Sequence, residues 1–296
     1  MSKRKTVALG LLCIIAATVA SFYMLLRQDS VEERTTAKIA AFNIQVFGRA
    51  KRQKEDVMAI LTKIVREFDI VLVQEIRDSS EETAPSFLQR INEMEGPKYY
   101  YIRSERLGRT TSKEAYAYFY NSETVDFIQD SDYIYNDVND VFEREPYIAS
   151  FKSGNFDFTL VGVHTKPEDA YYEISNLTIV VSSIQGARPN EKDIIVMGDL
   201  NADGTYFDED DVSSPFKASE FYWLITNNMD TMTKTDYTYD RIVLLNTTLN
   251  HEYVDCTARV FYFDQEYGIA NATLVGEISD HYPVFAEYTT NLVDDD

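Results

Sequence analysis

The chain is short of cysteine, histidine and positive charge, and each shortage removes a class of explanation. Its 296 residues hold two cysteines, Cys13 and Cys256. Cys13 falls in an N-terminal apolar run, so the body of the protein has one thiol and no internal disulfide. Stability must come from a core or from bound metal. Lys and Arg number 28 against 49 Asp and Glu, a formal charge of -21. Such a field repels polyanions unless divalent cations or a local basic strip reverse it. No internal repeat and no second domain boundary is visible, and the acidic stretches 208–211 and 294–296 are the low-complexity tracts. What is plentiful is apolar mass: 45% hydrophobic residues, 13% aromatic, enough for a substantial core.

The positive charge is also unevenly placed. Residues 2–5 read SKRK, and an uncharged apolar run follows from Val7 to Leu26. A basic flank before about 20 apolar residues fits either a cleaved signal peptide or an uncleaved signal anchor. Removing residues 1–27 takes away four basic and no acidic residues, leaving 24 basic against 49 acidic in an exported body. Residues 28–37 read as a polar linker, 38–290 as one catalytic domain and 291–296 as an acidic tail.

Within the body, Lys38 to Phe47 reads as the first strand. Val57, Ile60, Leu61, Ile64, Val65 and Phe68 form one apolar helical stripe. Short apolar runs at 69–75, 158–164 and 193–199 suit strands covered on both faces, with helices expected at 84–94 and 169–185. The pattern is α/β or α+β, with sheet inside and helices outside. Each apolar run ends on a polar group suited to catalysis: Glu75, His164 or Asp199. Asn43 lies in the first run, Asp240 opens another, and Asp280-His281 precedes a third. Carboxylates, amides and imidazoles gathered at strand ends suit a hard cation, which takes oxygen ligands and leaves histidines for proton transfer. Of the three histidines, His164 and His281 sit at such ends and His251 reads as a loop or surface residue. Trp223 reads as core at a helix end, and the 208–211 run as a solvated loop.

The ordered segments extend this reading. They are IAAFNIQVFG at 39–48, IVLVQEIRDS at 70–79, LGR at 107–109, KE at 113–114 with Tyr116, and REP at 144–146. His164, MGDLNAD at 197–203, FYWLI at 221–225, YDRIV at 239–243 and SDHYPV at 279–284 complete the set. Together they resemble the deoxyribonuclease I branch of the endonuclease/exonuclease/phosphatase superfamily across residues 39–288. The resemblance implies a four-layer sandwich, two packed mixed β-sheets flanked by helices. It implies His281 as the base, oriented by Asp240, and His164 as the acid, partnered by Glu114. Glu75, Asn43, Asp199, Asn201 and Asp280 would hold Mg²⁺ or Mn²⁺ and the scissile phosphate, and Arg77, Arg109 and Arg144 would contact DNA. The implied activity is a secreted or membrane-anchored endonuclease that cuts double-stranded DNA with little sequence preference and leaves 5′-phosphate ends. DNA is the implied partner, with no protein partner and with membrane contact only through the leader. A sphingomyelinase-like lipid hydrolase is the alternative, and a non-catalytic module with the same fold a third reading.

The sequence departs from the family pattern in four places. The usual disulfide region reads ADG at 202–204 and TDYT at 235–238. The calcium loop keeps Asp230, Thr233 and Thr235 but is one residue shorter, so a structural Ca²⁺ there remains an expectation. Ser112 replaces a tyrosine and Gln45 an arginine that grip DNA in the family.

Overall fold

The computed structural model describes residues 35–294 and 296. The leader and residues 28–34 of the expected linker lie outside the described residues. One sheet runs in the order β12 (Arg259–Val260), β13 (Val284–Thr289), β1 (Thr36–Phe47), β2 (Ile70–Ile76), β4 (Ala115–Asn121) and β3 (Tyr99–Arg103). The second runs β10 (Phe221–Trp223), β11 (Asp240–Leu245), β9 (Ile194–Asp199), β8 (Phe156–Gly162), β7 (Tyr147–Ser153) and β5 (Asp126–Phe127), with β6 (Tyr133–Ile134) also paired to β7. β1 pairs parallel to β2, and β8 parallel to β9, while the other pairings are antiparallel, so both sheets are mixed.

Alternation along the strands builds the layers. On β1, Ile39 and Ala41 enter the cluster between the sheets, where Leu72, Tyr118, Phe158, Leu160 and Ile242 meet them. Ala40 and Phe42 point the other way, onto α2 (Glu55–Val65), α3 (Thr83–Glu93) and α7 (Ala272–Ile278). The stripe expected on α2 is the face it buries, through Val57, Leu61, Ile64 and Val65. Truncating Leu61 to alanine there would cost ~2–5 kcal/mol. α4 (Ala170–Ala187) covers the second sheet by packing Ile174, Leu177 and Ile184 on Val161 and Val196. Helix, sheet, sheet, helix is the expected four-layer sandwich. The short helices α1 (Arg49–Arg52), α5 (Asn246–His251) and α6 (Phe263–Glu266) fill loops around it.

Three local expectations change. Trp223 ends strand β10, not a helix, and is only half-buried; Lys217 Nζ lies 3.9 Å above its ring. The acidic run is not merely solvated: Glu209 pairs at 2.8 Å with Arg241, which is fully buried. β1 begins at Thr36, inside the stretch expected as linker, because Thr36 and Ala37 pair with Thr289 and Tyr288.

Candidate active site

The topology explains why distant motifs meet. β9 ends at Asp199, and β11 runs antiparallel to it, so Asp240 at its start falls opposite Asp199. β13 runs antiparallel to β1, which brings the residues before it, Asp280 and His281, to the end of β1 that carries Asn43 and Gln45. Gln74 ties the two sheets at this rim: its Nε2 donates to Val163 O at 2.8 Å and its Oε1 accepts from Asp199 N at 3.0 Å. Gly198 is required beneath it, since a Cβ there would lie 2.2 Å from Val163 O.

The backbone is strained at the same place. Gln45, Val46, Glu75 and Asn201 all have positive φ, at 35°, 50°, 60° and 47°. Register shifts interrupt β1 between Asn43 and Phe47, and β2 against β4 between Val73 and Ile76. Non-glycine residues in this region carry a cost, and four of the eight such residues among those described gather at this rim. The result turns Glu75 so that its Oε2 accepts from Val46 N at 2.6 Å.

Two carboxylate–imidazole pairs face each other across Asp199. His164 Nδ1 lies 2.7 Å from Glu114 Oε1, and His281 Nδ1 lies 2.8 Å from Asp240 Oδ2. Their outer nitrogens converge on one atom: His164 Nε2 and His281 Nε2 lie 3.3 Å and 3.6 Å from Asp199 Oδ2. Burial alone would push both imidazoles down. For His281 it is outweighed by Asp240, Asp199 and Asp280, which hold the ring up at about 10; for His164, Glu114 and Asp199 prevail in the same direction. Burial works against the Glu114 carboxylate too, yet His164, Arg144 and Arg77 hold it below the usual range.

The donor set fits a hard divalent cation. Glu75, Asp199 and Asp280 bring oxygen ligands to one rim, and the buried Asp280 Oδ1 has no hydrogen-bond partner. The negative surplus that lifts His281 is what such a cation would cancel. The two asparagines expected among the ligands act here as braces. Asn43 Nδ2 donates to Asp199 Oδ2 at 3.0 Å and to Glu75 Oε1 at 3.4 Å, while its Oδ1 accepts from Gln45 N at 2.9 Å. Asn201 Nδ2 donates to Thr165 O at 3.0 Å.

The three arginines are placed differently. Arg77 lies between carboxylates, 3.2 Å from Glu75 Oε2 and 3.5 Å from Glu114 Oε2. It also opens onto a cleft of about 700 Å³ shared with Arg49, Arg52 and Ser80. Arg109 sits at the rim, its Nη1 donating to Asp140 O at 2.7 Å. Arg144 is buried and donates to His164 O and Thr165 O, both at 3.1 Å, so in this structure it supports the segment that carries His164. Asp230, Thr233 and Thr235 line one cleft of about 440 Å³, together with Lys234. That loop is tied to the site, since Thr233 N donates to Asp280 O at 2.8 Å and Thr231 Oγ1 accepts from Asp240 N at 3.2 Å.

Sequence reading passed over several supports. Tyr116 OH accepts from His164 N at 3.0 Å, and Ser279 Oγ donates to Asn43 O at 2.7 Å; both lie inside quoted motifs. Lys51 had no motif signal. It is buried, its Nζ donates to Ile44 O and Ile278 O at 2.8 and 2.9 Å, and burial pushes it down to about 8.

Residues 40–270 match the family described as Endonuclease/Exonuclease/phosphatase. The chain is 37% identical over 258 residues to Deoxyribonuclease-1 of Bos taurus, spanning 83% of this chain and 90% of that protein. It is 33% identical over 281 residues to Deoxyribonuclease gamma of Homo sapiens, 88% of each. Humanized D. rerio TDP2 shares the fold, with a TM-score of 0.58 at 14% identity over 86% of this chain and 100% of that one. With these motifs assembled at one rim, the chain belongs to the endonuclease/exonuclease/phosphatase family, in its deoxyribonuclease I branch.

Proposed function

We propose that the protein is a divalent-metal-dependent endonuclease that hydrolyses duplex DNA with little sequence preference and leaves 5′-phosphate ends. The observation that carries the reading is the convergence of His164 Nε2 and His281 Nε2 on Asp199 Oδ2, each ring fixed from behind by a buried carboxylate. In-line displacement at phosphorus needs proton transfer on both sides. His281 Nε2 takes the proton of the attacking water while Asp240 fixes the tautomer, and His164 Nε2 returns one to the leaving oxygen. Glu75, Asp199 and Asp280 would hold Mg²⁺ or Mn²⁺, braced by Asn43, Gln45 and Asn201. When bound, the cation supplies charge stabilisation for the phosphoryl oxygens.

The charge deficit has a local answer. Arg77, Arg49 and Arg52 line one cleft with Asp78 and Glu82, Arg52 being paired to Glu82, and their forked guanidinium donors suit the phosphate backbone. Arg109, paired with Asp140 and Glu143, would add a further contact to the DNA backbone, and Arg144 positions His164. Asp230, Thr233 and Thr235 offer oxygens for a structural Ca²⁺ that would steady the loop behind His281. Among the described residues no helix is long and apolar enough to cross a membrane. We assign the leader to export, so that the enzyme acts outside the cytoplasm, and residues 36–296 to one catalytic domain.

Plasmid nicking with and without Mg²⁺ tests this. Nicking that needs Mg²⁺ or Mn²⁺ and stops in EDTA is expected; undiminished cleavage in EDTA would remove the metal assignment. Turnover of sphingomyelin without nicking would move the chain to the lipid phosphoesterases.

A further inference from the structure

The end of the second sheet opposite the active site carries a group of acids that the catalytic reading does not use. β9 runs from that end, where Asp193 precedes it, to Asp199 at the rim. Ligand oxygens of Asp157, Asp294 and Asp296 lie within 4.8 Å of one another, as do those of Glu191, Asp193 and Asp296, and of Asp193, Glu252 and Asp294. Asp193, Asp294 and Asp296 each belong to two of these triads, so the groups form one continuous cluster. Lys152 reaches it at Asp157, 3.1 Å away, and His251 contacts Glu252.

A second observation separates this cluster from an ordinary acidic surface. Asp193 is 0% exposed and Glu252 2% exposed. Both carboxylate oxygens of Asp193, Oε2 of Glu252, Oδ1 of Asp294 and the buried Tyr288 hydroxyl have no hydrogen-bond partner. Unpaired carboxylate oxygens inside a protein are costly, and several facing one spot require a proton or a cation between them. The backbone meanwhile aims them: Asp193 N donates to Glu191 Oε1 at 2.9 Å, and Asp157 N to Asp294 Oδ2 at 3.2 Å.

We propose that Asp193, Glu252 and Asp294, with Glu191 and Asp296 at the rim, bind a calcium ion that clasps the C-terminal tail to the start of β9. The ligands are all oxygen and come from separate chain segments at uneven spacing, which suits the flexible six- to eight-fold coordination of Ca²⁺ better than the strict octahedron of Mg²⁺. The site is remote from the catalytic rim, so its failure leaves the nuclease reading untouched.

Calcium binding to the full-length protein, measured by equilibrium dialysis with Mg²⁺ held in excess and by thermal unfolding in Ca²⁺ against EGTA, tests the clasp. Wild type should bind one Ca²⁺ more than the Asp193→Asn, Glu252→Gln variant, and that variant should unfold in EGTA at or above the wild-type temperature, since it has lost buried repulsion. Asp294→Asn with Asp296→Asn, substitutions confined to the tail that cannot unfold the sheets, should weaken the same ion at least ~10-fold. Asp230→Asn, at the other calcium candidate, should leave it bound. If both cluster variants keep wild-type Ca²⁺ stoichiometry and the wild-type calcium response in unfolding, the carboxylates share protons only and the proposal is overturned.

Discussion

Gln45 Nε2 donates to Asp280 Oδ2 at 2.8 Å, joining the end of β1 to the loop before β13. From the sequence, a neutral amide at this position reads as a lost phosphate contact. The contact gives it a different duty, because it turns a candidate metal carboxylate. Gln45→Ala should therefore raise the Mg²⁺ needed for half-maximal cleavage by ~10-fold or more, the usual scale for losing a group that orients a metal ligand, with KM for DNA little changed. Gln45→Arg should show the same defect before any gain in grip. A variant altered only in KM would restore the phosphate-contact reading.

Ser112 is the cleaner test of duplex grip. It is exposed, in a loop closed by Leu107 N to Glu114 O at 2.7 Å and Glu114 N to Leu107 O at 3.0 Å, so a larger side chain meets no core. Ser112→Tyr should lower KM for duplex DNA by ~5-fold, about the effect of one aromatic contact, and should affect single strands less. The slope of activity against salt should not change, because no cation is added. Equal kinetics on both substrates would show that this position does not touch DNA.

The two imidazole pairs predict a sharp contrast among three histidines. His164→Ala and His281→Ala should each lower kcat at least ~100-fold while the protein is still folded at the assay temperature, as circular dichroism checks. His251→Ala, remote from the rim, should stay within ~2-fold. Activity close to wild type in either of the first two variants would remove that ring from proton transfer.

Much of this architecture was legible because its signals are local. The α2 stripe repeats with the helical period, and β2 and β9 are apolar runs long enough to be covered on both faces. The polar residues that close these runs fell at the site because parallel neighbours end on the same edge. Trp223 was misplaced since a three-residue strand has no period to read. Gln45, Lys51 and Glu209 were missed for another reason: their partners lie far away in sequence, and an isolated polar residue does not announce which carbonyl or carboxylate it will meet. The tail was read as a separate acidic end for the same reason, while Asp294 and Asp296 return to backbone amides of Asp157 and Lys192.

The two loops that a disulfide joins in the family are held here without one. Thr238 N donates to Asp203 Oδ2 at 2.7 Å, and the Tyr237 and Tyr239 rings stack beside it at 5.3 Å. Among the described residues the free cysteine is Cys256, which is exposed. Millimolar dithiothreitol should leave the unfolding temperature and the activity unchanged. Asp203→Ala, by contrast, should lower the unfolding temperature by ~2–4 °C, the scale of one half-buried charge-assisted hydrogen bond in a chain of this size. Loss of activity on reduction alone would contradict this account.

Stability should fall as pH rises through neutrality, and the sign follows from the buried carboxylates. Burial, then Glu252, pushes Asp193 up to about 9; burial pushes Glu191 and Glu173 up to about 7. In the unfolded chain such groups lose their protons near ~4. Between these limits the folded protein holds more protons than the unfolded one, so each rise in pH favours unfolding. His281, held up at about 10 where a free imidazole titrates near ~6.5, acts in the same direction, since its stabilising charge is lost as pH climbs. Asp78, held down at about 2, titrates below this window, and Lys51, held down at about 8, opposes the slope only above that pH. In EGTA, the unfolding temperature at pH 6 should exceed that at pH 9 by ~5 °C or more, and Asp193→Asn should flatten the dependence. A temperature that rises with pH, or an Asp193→Asn profile as steep as wild type, would show that these carboxylates are not held protonated in the folded protein.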